Sequence, residues 1–544
     1  MSISPLVQRI FSPSGFIFFL LFSFVLYGSL FPMLSWATFS DDDAHIMRIA
    51  AEYGWFDVYF QPEIYQQLSV AHYTPVELTI YKFLLSVCGL QPACFLIFQL
   101  ACFAGISALA AQLCLTITKS PVKAFGVMLF IFSNSAILTL ASRFYTTHYL
   151  VGGLFALSSF IILLSPRSRN NILFALLTGV AVLLSLLAKE VYIVSAGLIC
   201  IFSLQQRNRA VFVSSALAVL IYMAMRVGVI GFSSEGRSGN GYLIEVFRLD
   251  FSQWAGFAGW YGANKTLILL FALFACIVNV RKFVPNLVVA LWFAAPSLAA
   301  PHSIVSPEMH GDRVFFAFDC ALVLAAMFAI PSKKAAASFF SKNLQPFGVM
   351  LFSLFLALGV LFLQSFQARA LQEKVINSSD YKVTTSLLKL LESSAEPLTA
   401  YVPLSYQLGE LMSVYRLMSQ NELYITQNCI QVTSYPLSGR VALFDDSGSH
   451  ITMENLQSRC GTMALSPQIL QPVAFRSGRL SWNFSVPGNY VAGVLFVDRA
   501  LAVPLTVFSE RLVRPKPGER YQLFAYRDGV WWFSEIKPVL VNQQ

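Results

Sequence analysis

Three consecutive carboxylates, Asp41, Asp42 and Asp43, follow directly on an apolar run of the chain. Crowded carboxylates repel one another, and the repulsion makes one member of such a group a better base. A positioned carboxylate can take the proton of an attacking alcohol. The oxygens of Asp42 and Asp43 are also candidate ligands for a divalent cation. The alternative is a solvated acidic loop that precedes a helix, because acids are favourable at a helix N-terminus.

Three cations lie where apolar runs of the sequence end, and each is a candidate for binding a phosphate. They are Arg143 in "SRFYTTHY", Lys189 in "AKE" and Arg313 in "HGDR". The planar fork of an arginine suits a phosphate group, and a lysine adds a point charge. The alternative for each is ordinary anchoring, in which a long side chain reaches from the apolar region to the membrane surface.

Polar and aromatic side chains in the same parts of the sequence are candidates for substrate binding: His45, His72, Tyr73, Glu190, His310 and Trp260. The histidines lack a metal-binding spacing such as HExxH, so each is a weak signal by itself. Trp260 belongs to residues 233–265, a stretch that is glycine-rich and then amphipathic. Aromatic faces beside flexible hinges suit a gate over a lipid-linked substrate. Interfacial anchoring by the same aromatic residues is the alternative.

Membrane-spanning helices are the elements that must position these residues. The chain has 544 residues, of which 56% are hydrophobic and 12% charged, and its mean hydropathy is +0.63. Its apolar residues come in blocks of about 20, the length that spans a bilayer as a helix. The first block is too long for the apolar core of a cleaved signal peptide, so we expect a retained span. Eleven spans fit, at about residues 16–36, 93–116, 124–141, 150–165, 172–188, 191–204, 210–226, 266–280, 284–300, 314–330 and 347–365.

Charges in the connections predict how these spans are oriented. One alternating set of connections contains basic residues and no acid: Lys119, Lys123, Arg167, Arg169, Arg207, Arg209, Arg281, Lys282, Lys333, Lys334 and Lys342. The positive-inside rule places this set and the N-terminus in the cytoplasm, so the three aspartates face outward. The formal net charge of +9 follows from this orientation and does not indicate a nucleic-acid partner.

A change of composition after residue 367 predicts a second domain, over residues 368–544. Alternating stretches such as "RYQLFAYRDGVWWF" are typical of strands, and "YKVTTSLLKLLESS" is typical of a helix. An odd number of preceding spans places this α+β domain outside the cytoplasm.

We expect Cys429 and Cys460 to form a disulfide in this domain, because a compartment outside the cytoplasm permits oxidation. The remaining cysteines lie in or beside apolar segments and are expected to be small core residues: Cys88, Cys94, Cys102, Cys114, Cys200, Cys276 and Cys320.

Several short motifs resemble those of membrane glycosyltransferases. "DDAHIMRIA" resembles the "DDAYI…R" start of the first outer loop in the GT-C superfamily. "HYTPVELTIYKFLLSVCGLQP" resembles the "YTSPLW…LLGLDP" segment of the arabinofuranosyltransferase-like branch, which is similar to the bacterial type IV pilin glycosyltransferases. "SPEMHGDRVFFAF" resembles that branch's "GDFMHGRxLLP" element, although an extra residue precedes Arg313 and the final proline is absent. "AKE" resembles a Lys-Glu pair that GT-C proteins often carry at this position.

This resemblance implies a polytopic α-helical, GT-C-like membrane protein in the bacterial inner membrane, with about 11 transmembrane helices and a periplasmic C-terminal α+β domain. Residues 1–367 would be the catalytic domain, with the acidic motif in the outer loop 37–92. The activity implied is inverting transfer of a sugar, for which the branch suggests a furanose pentose, from a polyprenyl-phosphate donor. The acceptor would be a hydroxyl of a protein such as pilin, or of a glycan, and residues 368–544 would bind it.

The resemblance also ranks the aspartates. Asp42 aligns with the first acid of the "DDAYI" pattern and is the first candidate for the general base. Asp43 is the closest alternative, and Asp41 would orient the pair.

Two other classes of function are alternatives to a glycosyltransferase: a transporter or flippase of lipid-linked sugars, and a non-enzymatic subunit for envelope assembly. Transporters tend to place charges near the bilayer midplane and to show inverted repeats, and the sequence shows no repeat.

Overall fold

The computed structural model describes residues 13–39, 42–68, 72–165, 171–231, 249–298, 301–331, 345–393, 398–402, 423–426, 440–445, 447–459, 462–464, 474–476, 479–481, 491–496, 501–504, 518–527, 530–533 and 537–538. The chain forms two compact units. The first unit comprises Met1–Ser40, Trp55–Tyr65 and Ser69–Gln372. The second unit comprises Asp41–Gly54, Gln66–Leu68 and Glu373–Gln544, so the predicted outer loop 37–92 is divided between the two units.

The described residues of the first unit are mainly helical, whereas the helix that begins at Asp43 belongs to the second unit. In chain order, the α-helices up to residue 376 are α1 (Pro13–Gly28), α2 (Asp43–Glu52), α3 (Asp57–Phe60), α4 (Pro62–Leu68), α5 (Pro75–Cys88), α6 (Pro92–Thr118), α7 (Pro121–Phe132), α8 (Ala136–Ala141), α9 (Thr147–Leu164), α10 (Ile172–Ala188), α11 (Ile193–Gln205), α12 (Arg209–Ile230), α13 (Phe251–Asn264), α14 (Thr266–Leu298), α15 (Pro301–Val305), α16 (Pro307–Ala329) and α17 (Gln345–Ile376). Short 3₁₀ helices lie at Phe31–Trp36, Phe144–Thr146 and Glu190–Tyr192. Proline opens several of these helices, as expected where its missing N–H costs no hydrogen bond.

Length and composition make this a helical membrane protein. Within the described ranges, four helices are long and apolar enough to cross a membrane: Pro92–Thr118, Phe144–Leu164, Arg209–Ile230 and Thr266–Leu298. Shorter apolar helices lie at Phe16–Gly28, Pro121–Phe132, Ile172–Ala188 and Glu190–Gln205. Many of their large apolar side chains are exposed, which lipid accommodates and water does not. The number of eleven spans and their orientation stay predictions.

A break in α14 lies where the sequence places a connection between two spans. Asn279, inside this helix, has the non-helical backbone angles φ −157° and ψ 72°. Its side-chain oxygen accepts a hydrogen bond from the Lys282 N–H at 3.4 Å, as a residue at the start of a helix does. Its side-chain nitrogen donates to the Ala329 carbonyl oxygen at 3.1 Å, which ties the break to the end of α16.

The turn after α10 is fixed against α9 by one tyrosine. The Tyr192 hydroxyl donates to the Tyr149 carbonyl oxygen at 2.5 Å. Its ring lies on α9 where Gly152 leaves room, since a Cβ on this glycine would be 2.4 Å from the ring. Ser185 of α10 donates to the Gly152 carbonyl oxygen at 3.0 Å. These contacts hold residues 189 and 190, which precede Tyr192, at a defined place beside the start of α9.

The described part of the second unit contains eleven short strands. β1 (Leu398–Tyr401), β2 (Leu423–Thr426) and β3 (Arg440–Leu443) form a parallel sheet in the order β2-β1-β3. The other strands are β4 (Thr462–Ala464), β5 (Ala474–Arg476), β6 (Arg479–Ser481), β7 (Val491–Phe496), β8 (Leu501–Pro504), β9 (Arg520–Arg527), β10 (Val530–Phe533) and β11 (Lys537–Pro538). They form a sheet in the order β4-β10-β9-β7-β8, with β11 on β9, and a separate β5-β6 pair.

Among the described residues after residue 376, the helices of this unit are α18 (Ser379–Ser393) and α19 (Met453–Arg459). α18 contains most of the stretch "YKVTTSLLKLLESS", and β9 and β10 together form the predicted "RYQLFAYRDGVWWF" hairpin. The secondary structure of these stretches is therefore confirmed. Arg440 in β3 donates to the Leu390 carbonyl oxygen of α18 at 2.6 Å, which joins helix and sheet.

The cysteines differ from the sequence-based expectation at one pair. Cys88 and Cys94 form a disulfide across the turn between α5 and α6, with their Cα atoms 6.2 Å apart. The expectation that both are isolated core residues is therefore wrong, because the turn brings the ends of the two helices together. Cys102, Cys114, Cys200, Cys276 and Cys320 are free thiols, as expected. Cys429 and Cys460 lie outside the described residues, so their disulfide stays a prediction.

Candidate functional site

Lys189 and Glu190 form an ion pair at the point where α10 ends. Lys189 has an extended backbone, so the chain leaves α10 there and enters the 3₁₀ helix Glu190–Tyr192. Only 4% of Lys189 is exposed. Its Nζ lies 3.9 Å from Glu190 Oε1 and 5.2 Å from the centre of the Tyr149 ring. His72 Nδ1 is hydrogen-bonded to the same carboxylate oxygen of Glu190. The buried ammonium thus has both a carboxylate and an aromatic face beside it.

Both members of this pair are charged. Burial lowers the pKa of the Lys189 ammonium, but Glu190 and other neighbours outweigh burial and raise this pKa above its usual value. Burial raises the pKa of the Glu190 carboxyl, but Lys189 and His72 outweigh it and hold this pKa well below its usual range. Glu190 Oε2 is buried and has no hydrogen-bond partner among the described residues. The pair therefore keeps one acceptor atom available for a ligand.

A second buried pair, Glu77 and His148, lies at the start of two helices. Glu77 is in the first turn of α5, and His148 is in the first turn of α9. Glu77 Oε1 lies 2.5 Å from His148 Nδ1, and Thr74 Oγ1 donates to Glu77 Oε2 at 3.0 Å. The exposed fractions are 6% for Glu77 and 7% for His148. His148 Nε2 is buried without a hydrogen-bond partner in the described part of the chain.

Arg313 belongs to the same group of charges. The centre of its guanidinium lies 5.1 Å from the centre of the Tyr145 ring, which precedes α9. Arg313 is near enough for its charge to lower the pKa of Lys189, while the charge of Glu77 raises this pKa. We call this set the cation cluster; its members are His72, Glu77, Tyr145, His148, Tyr149, Lys189, Glu190 and Arg313.

Asp312, which precedes Arg313 on α16, belongs to a different group of polar side chains. Lys265 has a completely buried side chain, and its Nζ donates to Asp312 Oδ1 at 2.5 Å, Asn134 Oδ1 at 2.8 Å and Ser135 Oγ at 3.0 Å. Asp319 Oδ2 lies 3.4 Å from the same ammonium. Tyr261 donates to Asp319 Oδ1 at 2.6 Å, and Asn134 donates to Asp319 Oδ2 at 2.8 Å. We call these six residues, Asn134, Ser135, Tyr261, Lys265, Asp312 and Asp319, the Lys265 network.

Trp260 contacts the element that carries Arg313. A Cβ on Gly311 would lie 2.4 Å from the Trp260 ring, so the ring packs directly against the backbone of α16. Trp260 also stacks on Phe257, with ring centres 6.2 Å apart, and Lys265 Nζ lies 6.0 Å from the centre of its ring. The predicted aromatic gate and the "HGDR" element are therefore in direct contact. Residues 232–248 of the glycine-rich part lie outside the described residues.

The aspartate motif belongs to the second unit. Asp42 occupies the N-cap position of α2 and is exposed, but its side chain does not cap the helix. Asp43 begins α2 and is completely buried. His45 is 6% exposed, and its Nε2 lies 3.1 Å from the Gln67 carbonyl oxygen. Both aspartates thus lie at a helix N-terminus, as the alternative to catalysis expects, while the burial of Asp43 differs from that of a solvated loop, so the catalytic role stays a prediction. Asp41 lies outside the described residues.

The remaining candidates have different surroundings. Tyr73 is completely buried, and its hydroxyl donates to the Tyr59 carbonyl oxygen at 2.7 Å. Arg143 precedes the 3₁₀ helix Phe144–Thr146, and its carbonyl oxygen accepts a hydrogen bond from Gln99 at 3.2 Å. His310 lies in α16, and its side chain is outside the described part of the structure. In the described ranges, no group of three or more His, Cys, Asp or Glu side chains is arranged to hold a metal ion.

An apolar cavity lies in the first unit. Its volume is about 640 Å³. α6, α9, α14 and α16 supply most of its wall, and Tyr192 lines it as well. Cys320 of α16 and Gly153 of α9 are also part of the lining. Tyr192 follows Glu190 by two residues, so the cavity reaches the same short turn that carries the Lys189–Glu190 pair.

Sequence reasoning found Lys189, Glu190, His72 and Arg313 but missed the Glu77–His148 pair. Glu77 and His148 are 71 residues apart, and no local pattern connects them. A signal existed, because Glu77 lies in the segment whose resemblance was noted and His148 lies in "SRFYTTHY" beside Arg143. Comparison of the chain with known protein families, characterised proteins and solved structures finds no match.

Proposed function

We propose that this protein transfers a sugar from a polyprenyl-phosphate donor to a hydroxyl group of a protein or glycan acceptor at the outer face of the membrane. The observation that carries the proposal is that one short turn, residues 189–192, carries a charged ion pair at its start and contributes a residue to the wall of an apolar cavity at its end. Lys189 and Glu190 belong to the cation cluster, and Tyr192 lines the apolar cavity. A ligand with an anionic head and a long apolar tail is the class of molecule that fits both features.

Each part of the proposed reaction has a candidate group. The cation cluster binds the donor phosphate, and Lys189 and Arg313 supply the positive charge. The acceptor oxygen attacks the anomeric carbon and gives its proton to a carboxylate of the aspartate motif, with Asp42 as first candidate. The bond between the anomeric carbon and the phosphate oxygen breaks, and its electron pair leaves with polyprenyl phosphate. A single displacement of this kind inverts the anomeric centre.

The membrane location of the reaction follows from the donor. A polyprenyl tail stays in lipid, so its phosphate must be bound where the helices meet the membrane surface. We place the N-terminus and the basic connections in the cytoplasm, and the C-terminal unit in the periplasm of a bacterial inner membrane. The oxidised Cys88–Cys94 pair supports this orientation, because stable disulfides belong to oxidising compartments.

The proposal is tested in cells that lack the chain and receive either the wild type or a variant. Mass spectrometry of surface proteins and glycans should reveal one sugar mass that depends on the wild-type chain. Asp42→Asn keeps the shape of the side chain but cannot accept a proton, so we expect the transfer rate to fall by about 10² to 10⁴. Asp43→Asn is made separately as the closest alternative.

Asp250→Asn is the matched control. Asp250 is an exposed aspartate that caps α13, and asparagine caps helices about equally well, so transfer should stay normal. Near-normal transfer by both Asp42→Asn and Asp43→Asn would refute the base assignment. A surface glycan profile that does not depend on the chain would refute the proposed function. Transfer by the purified protein in detergent would exclude a flippase or an assembly subunit, because neither forms a glycosidic bond.

A further inference from the structure

We propose that His148, oriented by Glu77, is a third ligand of the anion that Lys189 and Arg313 bind. The anion is a phosphate ester, and this inference rests on the proposed function because it concerns the same site. Neither residue belongs to the acidic motif or to the cations that the sequence singles out. Three features of the site point to this role: the contacts of the two tyrosines with the cations, the hydrogen bond to Glu77, and the buried Nε2 atom of His148.

Two tyrosines at and just before the start of α9 each contact a cation. Tyr145 belongs to the 3₁₀ helix Phe144–Thr146, which leads directly into α9, and Tyr149 belongs to the first turn of α9. Arg313 lies over the first ring at 5.1 Å, and Lys189 lies over the second ring at 5.2 Å. His148 is next to Tyr149, with ring centres 4.5 Å apart. Tyr149 therefore contacts both Lys189 and His148, which places these two side chains beside the same ring.

Glu77 determines which nitrogen of His148 faces a ligand. Its carboxylate accepts a hydrogen bond from Nδ1–H at 2.5 Å, which fixes the orientation of the ring. Thr74 holds the other oxygen of the carboxylate at 3.0 Å, so Glu77 is itself fixed. A bound anion beside Nε2 adds a second negative charge to that of Glu77; the two together compensate an imidazolium, whose Nε2–H then donates to the anion. Glu77 is a positioning residue, since it acts on the ligand through His148.

His148 Nε2 is the atom that a ligand would satisfy. Only 7% of His148 is exposed, and its Nε2 atom has no hydrogen-bond partner among the described residues. A buried polar atom without a partner is costly, and binding sites are where proteins retain such atoms. Glu77, His148, Lys189, Glu190 and Arg313 together carry one net positive charge when His148 is protonated. This net positive charge favours the binding of a negatively charged phosphate ester.

Two substitutions of His148 separate its nitrogen atoms. In His148→Asn, the amide nitrogen takes the place of Nδ1, so the bond to Glu77 is kept and the Nε2 donor is lost. In His148→Gln, the amide nitrogen reaches the place of Nε2 and restores a neutral donor. Glu77→Gln keeps a hydrogen-bond acceptor but removes the compensating charge. The control is His450→Asn, since His450 belongs to the second unit and packs on Phe444.

The experiment measures binding of lipids to the full purified chain in detergent. The probes are undecaprenyl phosphate, undecaprenol, phosphatidic acid and inorganic phosphate. The quantity compared is the ratio of the dissociation constants for undecaprenol and undecaprenyl phosphate. Loss of a hydrogen bond to a charged group should lower this ratio about 10- to 100-fold in His148→Asn and Glu77→Gln. His148→Gln should recover part of the loss, and the control should equal the wild type.

Undecaprenol binding separates a direct role from a structural one, because a misfolded variant would lose both lipids. An unchanged ratio in His148→Asn, with a lowered ratio in Lys189→Gln and Arg313→Gln, would overturn the role of His148 and leave the proposed function intact. An unchanged ratio in Glu77→Gln would overturn the positioning role. Equal binding of both polyprenyl probes by the wild type would overturn both proposals. Preference for phosphatidic acid or inorganic phosphate would support the anion site and contradict the polyprenyl donor.

Discussion

Gly311 is the residue on which the contact between Trp260 and α16 depends. The indole ring occupies the space that a side chain at residue 311 would need, and it is held from its other side by Phe257. Arg313 is two residues further along the same helix. A shift of the Trp260 ring or of this turn of α16 would therefore move Arg313 relative to Tyr145.

We expect Gly311→Ala to destabilise the protein by about 1–3 kcal/mol, because overpacking a filled site forces neighbouring groups to move. Alanine favours a helix over glycine by about 1 kcal/mol, and this gain offsets only part of the cost. Gly359→Ala is the control, since a Cβ at that helical position meets nothing within 4 Å. Thermal unfolding in detergent measures both. A Gly311→Ala variant as stable as Gly359→Ala would show that the ring moves freely.

Single residues were predictable where the sequence concentrates charge at the end of an apolar run. Lys189 and Glu190 are adjacent in the chain, so their ion pair could be read from "AKE". The partners of Glu77 and Asp319 could not be read from the sequence, because the groups that bind a buried carboxylate come from elements that are distant in the chain. The Cys88–Cys94 bond was accessible to prediction, since both residues flank the short turn "GLQPA".

At the level of elements, the Lys265 network joins four parts of the first unit. Lys265 follows α13, Asn134 and Ser135 connect α7 to α8, and Asp312 and Asp319 belong to α16. Gln364 of α17 extends the network by donating to the Asn134 carbonyl oxygen at 3.3 Å. The network therefore fixes α16, the helix that carries Arg313 into the cation cluster.

Lys265→Met should destabilise the protein by about 3–5 kcal/mol, because it leaves buried carboxylates without their cation. Adding Asp319→Asn to this variant should restore part of the loss, since one uncompensated charge is then removed. Lys282→Met is the control, because Lys282 is an exposed lysine and surface substitutions change stability by about 0.5 kcal/mol or less. Denaturant unfolding in detergent measures each variant. Additive effects of Lys265→Met and Asp319→Asn would mean that the two side chains do not interact in the folded protein.

Helix positions were predictable because apolar blocks and their polar interruptions are local features of the sequence. The break at Asn279 lies at the predicted connection that carries Arg281 and Lys282. The position of Asp319 was not predictable in the same way. Its apolar neighbours indicate a span, and only the folded chain supplies Tyr261, Asn134 and Lys265 to satisfy its carboxylate.

At the level of the whole molecule, the aspartate motif and the cation cluster belong to different units. Residues 41–54 are grouped with residues 373–544, although the sequence separates them by hundreds of positions. Composition shows where a polar domain begins, but it does not show which part of an earlier loop joins that domain. The predicted boundary at residue 367 therefore describes the chain locally, and the long-range grouping is a property of the fold.

Orientation is the property of the whole molecule that every part of the proposed function requires. If the basic connections are cytoplasmic, the Cys88–Cys94 turn and the C-terminus both lie outside. A reporter enzyme that is active only outside the cytoplasm, fused after Gln544, should therefore be active. In the same cells, Cys88 and Cys94 should resist alkylation until a reductant is added, because a disulfide persists in an oxidising compartment. A reporter fused after Arg207, in a predicted cytoplasmic connection, is the control and should be inactive.

An inactive C-terminal fusion that is normally expressed would mean that one span has been miscounted. Free thiols at Cys88 and Cys94 would place the turn between α5 and α6 in the cytoplasm. Either result would separate the aspartate motif or the cation cluster from the outer face, where a polyprenyl-linked sugar and its acceptor would have to meet.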